Sequence, residues 1–163
     1  MEVCQIRMAE DKDIPFLWEM LYQSMYIPEG EAPFSREILK DPMIAKYMKD
    51  WGRKGDLGLV AEQKEGQVVG AITSRYFTEQ QQGFGFVAED IPEMGMALLP
   101  EYRGQGIGKA LMSRLLEELR RQGVKQVSLS VDPNNIPAVS LYQRFGFRRV
   151  GWMSTSITML ADV

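Results

Sequence analysis

The chain has no histidine and one cysteine, Cys4, and these two scarcities exclude whole kinds of chemistry. Without an imidazole there is no base for a Ser-His or Cys-His pair, and without further cysteines the common zinc ligand sets cannot be assembled. No metal is expected. A lone cysteine cannot close an intramolecular disulfide, which suits a reducing compartment. No apolar run approaches the ~18 residues of a membrane-spanning helix. The opening Met1-Glu2-Val3-Cys4-Gln5 lacks the basic and apolar regions of a signal peptide. A cytoplasmic location with no membrane partner is therefore expected. An excess of one charge is missing too. Nineteen basic residues against 22 acidic ones leave a formal charge of -3, so no global positive field recruits nucleic acid.

What is present is an ordinary globular composition, 45% hydrophobic and 25% charged, in 163 residues. That length matches a single domain, expected over 1–163, with a core that needs no disulfide or metal. Hydrophobic period then orders the chain. Val3 to Met8 reads as a strand, and Ile14, Leu17, Trp18 and Leu21 share one face of a first helix. Residues 24–35 form a loop by their Pro28, Gly30 and Pro33, and Ser35 is placed to cap a second helix striped by Ile44, Tyr47, Met48 and Trp51. Leu57 to Glu62 and Val68 to Phe77 flank Lys64-Glu65-Gly66 as a hairpin. After a loop with Gly83 and Gly85 comes a strand, Met94 to Leu99. A long helix follows with Leu111, Leu115, Leu116 and Leu119, ended by Gly123. A strand at Val127 to Val131, a short helix with Ala138, Leu141, Tyr142 and Phe145, and two strands at 147–152 and 154–160 complete the order. The fold class is α/β, a mixed sheet with helices on its faces.

The most informative segment is Leu98-Leu99-Pro100-Glu101-Tyr102-Arg103-Gly104-Gln105-Gly106-Ile107-Gly108-Lys109, because it joins a strand to the long helix. The first turn of a helix offers unpaired N–H groups and a partly positive end. Glycines let a diphosphate approach those groups, and Arg103 and Lys109 add charge. A P-loop is excluded by spacing: only three residues separate Gly104 from Gly108-Lys109, and Ala110 follows where Ser or Thr is needed. A dinucleotide fingerprint fits poorly, since the turn reads Gly-x-Gly-x-Gly late in the chain and stands off from its strand. It stays open because Asp132 lies at a plausible distance for a ribose acid.

The run Pro-Glu-Tyr-Arg-Gly-Gln-Gly-Ile-Gly resembles the acyl-CoA signature of the GNAT N-acetyltransferase superfamily, with Arg103, Gly106 and Gly108 in its named positions. Downstream, Asn135-Ile136-Pro137-Ala138, Leu141-Tyr142 and Gly146-Phe147 resemble the second motif of the same family. The specific motifs cover residues 93–147, and the element order is similar to the family over nearly the whole chain. The resemblance implies a GNAT-like fold, a central, mostly antiparallel sheet with a splayed parallel strand pair and flanking helices. It also implies acetyl-CoA as acyl donor, no metal, and transfer to a primary amine of a small molecule or peptide by direct attack through a tetrahedral intermediate.

Carried onto this sequence, the resemblance implies that Leu98 and Leu99 present backbone groups to the pantetheine arm. Arg103, Gly104, Gln105, Gly106, Ile107, Gly108 and Lys109 surround the diphosphate, and Asn135 approaches from the other side. Tyr142 matches the tyrosine that protonates the departing thiolate, although its place beside Ala138, Leu141 and Phe145 also suits simple packing. Glu93 matches the carboxylate that serves as base, and the N–H of Leu98 is a candidate oxyanion donor. The acceptor pocket is expected between residues 25–51 and the loop 80–91. Those segments bring Tyr26, Phe34, Trp51, Phe84 and Phe86 together with Glu29, Glu31, Glu89 and Asp90. The competing function is a non-catalytic acyl-CoA-binding module of the same fold. The alternating tail Ser154 to Met159 suits either an internal edge strand or pairing across a homodimer.

Overall fold

The computed structural model describes residues 4–163. Seven strands, β1 Gln5–Met8, β2 Leu57–Glu62, β3 Val68–Arg75, β4 Glu93–Leu98, β5 Gln126–Val131, β6 Arg148–Met153 and β7 Ser156–Asp162, form one sheet in the order β1-β2-β3-β4-β5-β7-β6. The helices are α1 Ile14–Gln23, α2 Pro42–Ala45, α3 Ile107–Arg121 and α4 Ile136–Arg144. None of them is long and apolar enough to cross a membrane. Val3, expected in the first strand, lies outside the described residues.

Strand alternation sorts the core into two layers. Met94 joins Leu111, Met112 and Leu115 of α3, with Tyr142 of α4, on one face. Ala97 joins Leu17 and Met20 of α1 on the other. The β2–β3 hairpin turns at Gly66, whose φ of +93° belongs to the left-handed region that glycine tolerates. Helix α3 stops where Gly123 takes φ +77° and Val124 N–H returns to the Leu119 carbonyl at 3.0 Å.

Two expectations need correction. The continuous second helix is broken: Ser35 caps a 3-10 turn at Arg36–Lys40, then Asp41 is extended (ψ 123°) and caps the four-residue α2 through Met43 N–H. Pro42 is the cause, because its ring disfavours the helical conformation in the residue before it. The tail strand is not free for a second copy, since β7 pairs with β5 on one side and β6 on the other. The edge beyond it belongs to β6.

All neighbouring pairs are antiparallel except β4 and β5, which run parallel and meet in register only at Glu93 and Ser128. Beyond that point the two central strands part.

Candidate active site

The backbone of β4 shows what the parting leaves open. Leu99 N–H bonds the Val69 carbonyl at 2.9 Å, so Val69 and Leu99 form a hydrogen-bonded pair. In an antiparallel ladder such pairs alternate with pairs whose N–H and C=O groups point outward. With Gly70 opposite Leu98 and Ile72 opposite Met96, the outward groups are those of Leu98 and Met96, aimed at the side where β5 has diverged. Leu99, by contrast, spends its N–H on Val69 and its carbonyl on Tyr102 N–H. The Leu98 carbonyl accepts from Arg103 Nε at 3.3 Å, which folds the arginine back over the mouth of the wedge.

At that mouth lies the glycine turn. Gly104 and Gly106 take φ of +76° and +86°, and Gly106 is the N-cap of α3. A Cβ built on either meets nothing within 4 Å, so these glycines serve the backbone path and face open space. Gly106 has no side chain to cap the helix, which leaves the first-turn N–H groups pointing outward. Gly108 serves packing instead. A Cβ there would sit 3.3 Å from Met96 Cε and 3.6 Å from Leu141 Cδ2, so its bareness lets α3 approach β4 and α4. Arg103 and Lys109 are exposed beside the turn. Asn135 caps α4, its Oδ1 accepting Ala138 N–H at 3.4 Å. The dinucleotide alternative fails on topology, because it requires a doubly wound, largely parallel sheet, whereas here only β4 and β5 run parallel and Asp132 accepts Asn134 N–H in its own turn.

Glu93 begins β4 on the face opposite α3 and is 4% exposed. Tyr47 O–H donates to its Oε2 at 2.6 Å and Gly85 N–H to its Oε1 at 3.1 Å. Burial pushes this carboxyl up to about 7, against the opposing pull of Tyr47, Gly85 and the nearby Lys46 ammonium. Lys46 is itself buried, and desolvation lowers its pKa. Beneath this cluster Arg75 forks onto Asp56 at 2.8 and 3.0 Å and reaches the Lys46 and Lys49 carbonyls at 2.9 and 2.8 Å. That fork fastens the α2 segment to β3.

Tyr142 lies on the other face of the sheet, packed edge to face on Phe147 at 5.8 Å between ring centroids. Burial raises its phenol to about 12, so it is a donor at neutral pH. Its hydroxyl has no hydrogen-bond partner among the described residues, unlike that of Tyr47. The expected acceptor loops divide. Phe84 stacks on Tyr47 and Trp51 lies against Arg75, while Phe34, Glu29 and Glu31 remain exposed. On β4, Gly95 is exposed in mid-strand, and a Cβ there would meet only Thr73 Oγ1 at 4.0 Å. Sequence reasoning missed Tyr47 as a polar contributor and Gly95 as a bare patch of sheet on the side of Glu93.

The model of the Acetyltransferase (GNAT) family matches residues 16–147. This chain belongs to the GNAT family. Among GNAT relatives, the mycothiol acetyltransferase of Arthrobacter sp. (strain FB24) is 31% identical over 136 residues, 78% of this chain and 39% of that protein's own length. The ribosomal-protein-S18-alanine N-acetyltransferase of Escherichia coli superposes with a TM-score of 0.68 at 21% identity, covering 99% of this chain and 94% of the other. A GNAT superfamily phosphinothricin acetyltransferase from Sinorhizobium meliloti, solved in complex with AcCoA, gives 0.68 at 22% identity, covering 99% and 89%. The splayed pair in an otherwise antiparallel sheet is thus the GNAT fold, and the family is one of acyltransferases.

Proposed function

We propose that the protein transfers the acetyl group of acetyl-CoA to a primary amine of a small molecule or peptide. One observation carries this reading. The wedge between β4 and β5 leaves the Leu98 N–H and the outward groups of Met96 facing it and ends at the open N-terminus of α3, so an extended amide-bearing chain with a diphosphate fits both at once.

Acetyl-CoA supplies an activated thioester. The chain's own residues do the rest. The turn from Arg103 to Gly108, with Lys109, holds the diphosphate by N–H groups and charge, and Asn135 closes the other side of the wedge. Leu98 N–H lies where strand divergence leaves it able to stabilise a developing oxyanion. Glu93, poised near neutrality by burial, takes the proton that the amine loses as the new C–N bond forms. Tyr142 gives its phenolic proton to the sulfur as the C–S bond breaks, and solvent restores both groups. The bare sheet at Gly95 gives the acceptor a path to the thioester from the Glu93 side.

Thiol release from acetyl-CoA, measured across a panel of polyamines, amino sugars and peptides with free N-termini, tests the proposal. Turnover on one amine class is the expected result. Saturable CoA binding with no turnover on any amine would leave a binding module and overturn the enzyme.

A further inference from the structure

The loop before β4 is shaped around one carboxylate. A Cβ on Gly83 would lie 2.1 Å from Glu93 Oε1 and 2.9 Å from Tyr47 Oη, and one on Gly85 would lie 2.5 Å from the Leu129 carbonyl carbon. Neither glycine has a positive φ, so both are required by close approach. The bare backbone lets residues 82–86 settle over Glu93 and against β5. Tyr47 holds them there: its hydroxyl accepts Phe84 N–H at 2.7 Å while donating to Glu93 Oε2 at 2.6 Å, and its ring stacks parallel to Phe84 with 6.5 Å between centroids. Lys46, the residue before it, donates to the Gln82 carbonyl.

We propose that Tyr47 is the positioning residue for Glu93: its hydroxyl locks the carboxylate and the 82–86 loop into one arrangement and favours the form that can accept a proton. A carboxylate has about four lone-pair positions. Tyr47 and Gly85 fill two of them, which leaves two for a proton arriving from the acceptor side. The charged neighbours act in the same direction. Lys46 approaches from the α2 segment, whereas Arg75, across the strand pair, is committed to Asp56 and to backbone carbonyls. Ser128 of β5, in register with Glu93, adds a hydroxyl and no charge. Deleting the Tyr47 hydroxyl therefore removes a hydrogen bond that only the ionised form fully rewards.

The inference rests on Glu93 as the base, and two readouts separate the two claims. Carboxyl 13C NMR follows Glu93 directly in wild type and in Tyr47→Phe, which keeps the ring. The midpoint should rise by about one pH unit in the variant. An unmoved midpoint overturns the positioning role. The acidic limb of kcat/KM should rise by the same amount and vanish in Glu93→Gln. A limb that persists in Glu93→Gln removes Glu93 as the base, while the NMR result still decides what Tyr47 does. If Tyr47→Phe does not fold, wild type labelled at tyrosine Cζ answers instead. The Tyr47 signal must shift with the Glu93 midpoint, and a signal flat across that range overturns the proposal.

Discussion

Replacing Tyr142 by phenylalanine keeps the ring that meets Phe147 and deletes only an oxygen that no other described residue binds. Stability should change by less than about 1 kcal/mol, since no protein hydrogen bond is lost. Single-turnover acetyl transfer at saturating acetyl-CoA should fall by roughly 10²–10⁴-fold, the usual contribution of a positioned acid. Undiminished single-turnover chemistry in the folded variant would leave Tyr142 as packing alone. Glu93 carries a second residue-scale prediction. Its carboxyl is raised from 4.5 to about 7 in the folded chain, so below pH ~4.5 the folded form keeps its full advantage, which is lost as pH rises through 7. Measured by denaturant melts, Glu93→Gln should therefore gain on wild type by roughly 2–3 kcal/mol between pH 5 and pH 8. A difference independent of pH would show that the carboxyl is not held near neutrality. Motif position alone pointed to both residues. The burial of Glu93 was not legible, because it depends on two glycines eight and ten positions away that vacate the space of their own side chains.

Among elements, the α2 segment departs furthest from its sequence pattern. The stripe Ile44, Tyr47, Met48 and Trp51 has helical period, yet only Ala45 and its three predecessors are helical, and Tyr47 turns its hydroxyl to a partner 46 residues away. Period reports that a segment faces a core. It does not report that one member of the stripe carries a polar atom into it. The glycine turn is the opposite case, because a left-handed φ is a local demand that glycine alone meets without strain, and Gly104 and Gly106 could be read directly. The α2 segment is held in place by Arg75, buried with Asp56 and bonded to two carbonyls at the end of that segment. Arg75→Met should cost about 3–5 kcal/mol, since it leaves Asp56 buried without its charge partner. Arg75→Lys should recover little, because an ammonium cannot fork onto a carboxylate and reach two carbonyls together. Full stability of the lysine variant in a urea melt would contradict this account.

For the whole molecule, the element order was legible from period and punctuation, while the strand order was not, because pairing across the sheet is a matter of distant contacts. Ligand response belongs to this scale as well. CoA at 100 times its dissociation constant should stabilise the fold by about 2.7 kcal/mol. That corresponds to a rise in Tm of roughly 5–10 °C for a chain of this size. NAD at the same concentration should give none, and a shift from NAD without one from CoA would reverse the assignment of the glycine turn. The single register pair between β4 and β5 has one more consequence. Four antiparallel strands on one side and three on the other meet like two leaves on one hinge pin, at Glu93 and Ser128. An extended ligand laid along Leu98 and Met96 acts as mortar in the joint and turns hinged leaves into a plate. Free and occupied protein should then differ in amide hydrogen exchange at Leu98 and Met96 more than in outline.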